Sequence, residues 1–195
     1  MMANMWCRIV ALMIAGAAVQ GCAQPAQVSG MIAPPPTTDA WVTSPYAGAM
    51  SMAEVTGGEE TDPMWKSMVG NGQFHEALQH SLAANKLLAA TPEAAKYTIK
   101  AELKELSQPF MGFDMTVSAK VNYQVAAKDA SELAFGQVID SEYTATVSDA
   151  FLGVERLKLA NEGAIRENIK EFIKRLVAAP PPNPTTGPRP VASLR

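Results

Sequence analysis

The chain has 195 residues, 48% of them hydrophobic and 18% charged, with 16 Lys and Arg against 19 Asp and Glu, a formal net charge of −3. That length holds one domain with extensions, and the acidic balance excludes a general nucleic-acid binder, which needs a basic surplus. Two cysteines exclude a disulfide-stapled fold and a four-thiolate zinc site, and two histidines leave little material for a histidine-rich metal site.

The first element is a targeting segment. Met1 to Arg8 is short and carries one positive charge, and Ile9 to Val19 is an uninterrupted run of 11 apolar and small residues. Such a run is too short to cross a bilayer, which takes roughly 20 residues, and fits the apolar region of a secretory signal over residues 1–21. Its end, Val19-Gln20-Gly21-Cys22, resembles the bacterial lipobox: an aliphatic residue, then a small residue, then the cysteine that receives lipid. The resemblance implies that a signal peptidase recognises Val19, Gln20 and Gly21. It also implies that Cys22 carries diacylglycerol as a thioether and an N-acyl chain. The only other cysteine, Cys7, lies in the leader. Ala23, where inner-membrane retention would call for Asp, implies an outer-membrane lipoprotein facing the periplasm. More than one acyl chain makes a stable anchor, since each buried CH₂ contributes about 0.8 kcal/mol.

Proline marks the rest of the organisation. Of 14 prolines, five lie in 25–45 and six in 180–190. Proline removes a donor and stiffens extended chain, so residues 22–45 read as a lipidated tether and 179–195 as a disordered tail. A flexible tether of that length spans about 26 Å on average. The foldable part is residues 46–178, enough for one core.

Within it, residues 48–56 alternate weakly and read as a strand ended by a Gly57-Gly58 turn. Phe74, Ala77, Leu78 and Leu82 recur at helical spacing, predicting a helix from Gln73 to Ala90, stopped at Thr91-Pro92. The period then becomes two. Tyr97, Ile99, Ala101 and Leu103 alternate with polar residues over 96–106. Met115, Val117, Ala119, Val121, Tyr123 and Val125 do so over 114–125. A third run, 134–147, shifts phase between Val138 and Tyr143, which predicts a bulge there. A long helix follows from Asp149 to Ala178, capped by Ser148 or Asp149 and stopped by Pro180. Its apolar stripe includes Val154, Leu157, Ile165, Ile169, Phe172 and Leu176. Glu162–Arg166 and Glu171–Arg175 read as i,i+4 ion pairs, and Asn161 and Asn168 as buried, hydrogen-bonded residues. The order β-α-β-β-β-α predicts an α+β fold: a two-layer sandwich with two helices on one face of a mostly antiparallel four-stranded sheet.

Motifs for chemistry are sparse. His75 and His80 stand one residue too far apart for a zinc-protease pair, about 140° around a helix, and read as exposed. Glu59, Glu60 and Asp62 form an acidic loop without the spacing of a calcium site. Gly70-Asn71-Gly72 lacks the Lys-Ser/Thr of a phosphate loop, and no nucleophile elbow occurs. Lys96, Lys100, Lys104 and Lys120 fall on the wet faces of the two clearest strands against Glu102 alone. If the strands are adjacent, they form a basic patch for lipid phosphates or an acidic partner.

A lipobox, a Pro-rich segment and this element order are similar to the small envelope lipoproteins of Gram-negative bacteria. Those include the auxiliary lipoproteins of ABC-type lipid transporters and the lipoprotein that plugs the lipopolysaccharide-assembly barrel. Phe74-x-x-Ala77-Leu78-x-x-Ser81-Leu82, Gln108-Pro109 with Gly112-x-Asp114-Met115, Ser148-Asp149-Ala150-Phe151 and Glu155-Arg156-Leu157-x-Leu159-Ala160-Asn161-Glu162 resemble a group of uncharacterised lipoproteins over residues 50–176. Some members of that group are labelled UDP-N-acetylglucosamine acyltransferase. Such enzymes resemble left-handed β-helices built from hexapeptide repeats with a catalytic histidine, and no hexapeptide repeat occurs in this chain. The expectation is a lipid-anchored, non-enzymatic accessory or binding component of envelope biogenesis or lipid transport, with an envelope protein or lipid as partner and no metal or other cofactor. An enzyme acting on envelope glycolipid and a cell-wall-binding structural lipoprotein are the alternatives.

Overall fold

A computed structural model describes residues 23–35, 44–61, 67–109, 112–128 and 133–180. The signal segment 1–21, Cys22 and residues 181–195 of the expected tail lie outside the described residues. So does Asp62 of the acidic loop.

The chain forms α1 (Val28–Met31), β1 (Met50–Thr56), α2 (Asn71–Ala84), β2 (Tyr97–Ser107), β3 (Met115–Ala127), β4 (Leu133–Ala145) and α3 (Gly153–Ala178). Apart from the one-turn α1, this is the expected β-α-β-β-β-α order, an α+β fold on one four-stranded sheet ordered β1-β2-β3-β4. β1 pairs parallel to β2 because α2 carries the chain back to the starting end. β2, β3 and β4 form an antiparallel meander.

The two-residue period does what it predicts. Ile99, Ala101, Val117, Ala119, Val121, Tyr123, Val125, Phe135 and Ile139 point to one face and are buried. Phe74, Ala77, Leu78 and Leu82 of α2 and Ile165, Ile169, Phe172 and Leu176 of α3 close the same core. α3 lies across β3 and β4, and α2 packs beside β1. The Tyr123 ring stacks on Phe172 at 4.0 Å, and Phe135 meets Phe172 edge-on at 5.6 Å. Gly57, at φ 83°, makes the turn after β1, where a side chain would strike the Leu103 carbonyl.

Four local expectations are corrected. α2 ends at Ala84, not Ala90. The Asn85 amide and side chain both donate to the Ser81 carbonyl, and Lys86 turns left-handed at φ 53°. Leu87 and Leu88 then run beside β1, with the Leu87 carbonyl accepting from Ala49 and Met50. The irregularity in β4 lies at Leu133–Phe135, not between Val138 and Tyr143. Ile139, Ser141 and Tyr143 stay in step, and Val138 simply faces out. α3 starts at Gly153. Asp149 instead closes its own turn, accepting from the Thr146 amide and hydroxyl, which hold its carboxyl below the usual range. Finally, residues 23–35 are not a free tether. Ala26, Met31 and Ala33 are part of the core.

Candidate functional site

The docked N-terminal segment is where the structure departs most from the sequence reading, and it is the residue stretch that follows Cys22. α1 lies against both α2 and α3. The Ala26 amide donates to the Met68 carbonyl at 3.1 Å. The Ala33 amide donates to the Ser81 hydroxyl at 2.9 Å, which in turn donates to the Ala77 carbonyl. The Gln27 amide donates to Glu162 at 2.7 Å, and the Arg166 guanidinium donates to the Gly30 carbonyl at 2.7 Å. Gly30 has no room for a side chain, since a Cβ there would land on the Glu162 carboxylate. This sequence of small residues around Met31 lets the backbone reach the helix surface closely enough to use the polar groups there.

The expected Glu162–Arg166 pair therefore does not form as a surface contact; each side chain turns to the segment. Glu162 is buried and lies 3.6 Å from Lys158, itself buried and bonded to Glu155 at 2.9 Å. Burial pushes the Lys158 ammonium toward deprotonation. The Glu155 hydrogen bond and the charges of Glu162 and Glu155 outweigh that and raise its pKa. Arg166 also sits 5.2 Å over the Tyr143 ring. The Glu171–Arg175 pair is present at 2.8 Å.

Asn161 and Asn168 are buried and bonded, as expected. Asn161 accepts from Gln108 at 2.7 Å and donates to the Ser67 carbonyl at 2.8 Å, tying the loop before α2 and the end of β2 to α3. Asn168 donates to the Ile139 carbonyl at 2.8 Å and reaches Ala119 and Ser141. These amides hold the two layers in register.

The outer sheet face is where the lysines were expected to gather. β2 and β3 are adjacent, as the patch required. Yet the register interleaves Lys100, Lys104 and Lys120 with carboxylates, and Lys96 precedes β2. Lys104 sits at a bulge and bonds Glu102 at 2.7 Å, and this bond holds Glu102 below the usual carboxylate range. Lys120 lies between Glu105 at 3.4 Å and Asp140 at 3.7 Å. Lys100 borders an open cleft of about 260 Å³ shared with Glu54, Glu102 and Gln124. With Glu54, Glu102, Glu105, Asp140 and Glu142 beside Lys100, Lys104 and Lys120, this face is mixed rather than basic, which corrects the patch. A mixed face resists edge association but offers no focused attraction for phosphate.

His80 is exposed and lies 3.6 Å from Glu76, its helical neighbour. Among the described residues, no group of three or more His, Cys, Asp and Glu can hold a metal. No helix there is long and apolar enough to cross a membrane. The acidic loop borders a second open cleft of about 210 Å³, lined by Ala23, Pro25, Glu59, Glu60, Thr61, Gly70 and Gln73. Both clefts are smaller than the roughly 300–1,000 Å³ of enclosing small-molecule sites.

No family model matches the chain, and no curated protein matches it. Solved structures do share its fold. Protein XCC0632 from Xanthomonas campestris, of the family model DUF330, superposes with a TM-score of 0.54 at 10% identity, covering 76% of this chain and 91% of that one. The hypothetical protein CT253 from Chlamydia trachomatis gives 0.50 at 14% identity, over 68% of this chain and 97% of that one. A minor lipoprotein from Acinetobacter baumannii gives 0.44 at 12% identity, over 72% of this chain and 100% of that one, too low to carry argument. At such identities the likeness to the first two establishes a common fold and leaves function to the residues themselves.

Proposed function

We propose that this protein is a lipid-anchored lipoprotein of the outer membrane, facing the periplasm, and a non-enzymatic accessory or binding component of envelope biogenesis or lipid transport. The observation that carries the reading is Val19-Gln20-Gly21-Cys22 closing an 11-residue apolar run. Diacylglyceryl transfer needs a thiol at that position, and Cys22 supplies it; an ordinary signal peptide with Cys22 incidental is the alternative that palmitate labelling separates. Support for a binding role comes from the disposition of polar groups. Glu162, Arg166, Asn161, Asn168 and Ser81 hold layers and the N-terminal segment together; of the two histidines read as exposed, His80 is exposed and His75 is half-buried.

The test is metabolic labelling with palmitate, followed by membrane fractionation and complementation of a deletion strain, for wild type and Cys22→Ala. Label on wild type alone, in the outer-membrane fraction, with lost complementation by Cys22→Ala, is the expected result. Full complementation by the unlabelled variant would refute anchoring as part of the function. In-cell crosslinking with affinity capture, compared between the same two chains, then identifies the envelope protein or lipid bound.

A further inference from the structure

The end of the sheet at which β1 and β2 finish is also where β3 begins, β4 finishes, and α2 and α3 start. The connections at this end carry Phe113, Val147, Phe151 and Leu152. Phe113 and Phe151 are 85% and 88% exposed, more than any other large apolar side chain described, and Leu152 is half-exposed. The connections that carry Phe113 and Phe151 adjoin. Phe113 lies two residues before Met115 and Phe151 two residues before Gly153, and the Met115 methyl stands 3.7 Å from where a Gly153 Cβ would be. The same end holds the start of the docked segment. Ala23 is buried and borders the cleft at the first turn of α2, and the Ala26 amide is fixed on Met68. Cys22 is one peptide unit further on, about 3.8 Å between Cα atoms.

We infer that Phe113, Phe151 and Leu152 enter the lipid surface beside the Cys22 anchor, so that the domain sits on the membrane with this end down; the inference rests on Cys22 being acylated. Three observations favour a bilayer over a protein groove as the occupant. The described chain begins at this end, with Ala23 at the first turn of α2. The apolar groups are isolated tips on connections, a shape that enters a soft medium, and not the walls of a groove. The described connections here carry Glu59, Glu60, Asp114 and Asp149 and no lysine or arginine. The Arg156 guanidinium beside Phe151 is held on the Ala150 and Phe151 carbonyls, and burial of aromatic surface is the driving force inferred.

The experiment uses the purified acylated protein in phosphatidylethanolamine vesicles containing brominated acyl chains. An environment-sensitive fluorophore is attached at Phe113→Cys, Phe151→Cys or, as a control on the outer sheet face, Val138→Cys. Flotation of the vesicles first reports the anchor. Quenching at 113 and 151, absent at 138 and unchanged by salt, is the expected result. Protein that floats with all three positions unquenched overturns insertion while leaving the anchor standing. Protein that does not float overturns the anchor and insertion with it. Photo-crosslinkers at 113 and 151 that join one defined protein, or a second copy, in place of lipid would assign these tips to that partner and overturn the inference. In the unacylated Cys22→Ala chain freed of residues 1–21, Phe151→Ser should weaken vesicle partitioning roughly tenfold, and the Phe113→Ser, Phe151→Ser pair roughly a hundredfold.

Discussion

Met31→Ala tests whether the N-terminal segment belongs to the fold. Met31 is fully buried between α2 and α3, in the middle of a segment that reads as linker by composition. Returning its side chain to water forfeits about 2 kcal/mol of transfer energy. A residual void of about 50 Å³ adds roughly 1 kcal/mol at about 24 cal/mol per Å³. The expected loss is therefore about 3 kcal/mol if the segment unfolds with the domain. If it peels off first, the loss in global stability is capped at its docking energy, and the difference appears as local opening. Urea denaturation followed by circular dichroism reads the first quantity, and the rate of limited proteolysis between Ala23 and Pro35 reads the second. A loss below about 0.5 kcal/mol, as at ordinary surface sites, with no faster cleavage would show that the docked arrangement is not the state in solution.

Tyr123→Phe should stabilise the protein by about 1 kcal/mol, because the buried Tyr123 hydroxyl has no hydrogen-bond partner among the described residues. Burial raises the Tyr123 pKa well above 10.0. Its contribution is therefore fully present below the unfolded phenol pKa and lost as pH rises above it. The variant should lose less stability than wild type in urea titrations on the alkaline side, and an unchanged alkaline limb would contradict the burial. Gly163→Ala should cost about 1–3 kcal/mol although alanine is the better helix former. Its Cβ would overlap the Tyr143 ring where α3 crosses β4 closely. Tyr143→Ala in the same chain should recover part of that loss, and simple additivity would mean the two sites are not in contact.

The strands were legible because each carries its partner information locally. Tyr97 to Leu103 and Met115 to Val125 alternate without interruption, and one face had to be buried. The stripe of α3 from Ile165 to Leu176 and the buried roles of Asn161 and Asn168 were legible for the same reason, but Val154, counted in the stripe, lies in the first turn of α3 and is exposed. What failed depends on groups brought together by the fold. Glu162 and Arg166, four apart on a helix, look like a surface pair until the segment at Gln27 and Gly30 arrives from 135 and 136 residues away. Pro34 and Pro35 signal a linker, and nothing nearby says that Met31 has a place in the core. The lysine patch was counted on two strands alone. The bulge at Lys104 brings Glu105 opposite Lys120, and β4 adds Asp140 on its other side, so the count changed sign with the register.

The docked segment changes what an anchor at Cys22 can do. A free chain from 22 to 45 would let the domain search about 26 Å from the membrane. With Ala23 and Ala26 fixed on the domain, the reach falls to a single peptide unit. On the proposed reading, with Cys22 acylated, a partner would then meet the domain at the lipid surface, in one orientation. Inserting a flexible Gly/Ser stretch of about ten residues between the exposed Gln24 and Pro25 separates anchor from orientation, because it adds a span of about 17 Å. It leaves Ala23 beside Cys22, so the acylation and sorting proposed for this sequence should be unaffected. If orientation matters, palmitate labelling and membrane fractionation should be unchanged while complementation of the deletion falls. Complementation equal to wild type would show that the anchor supplies only local concentration, and that close seating is not part of the function.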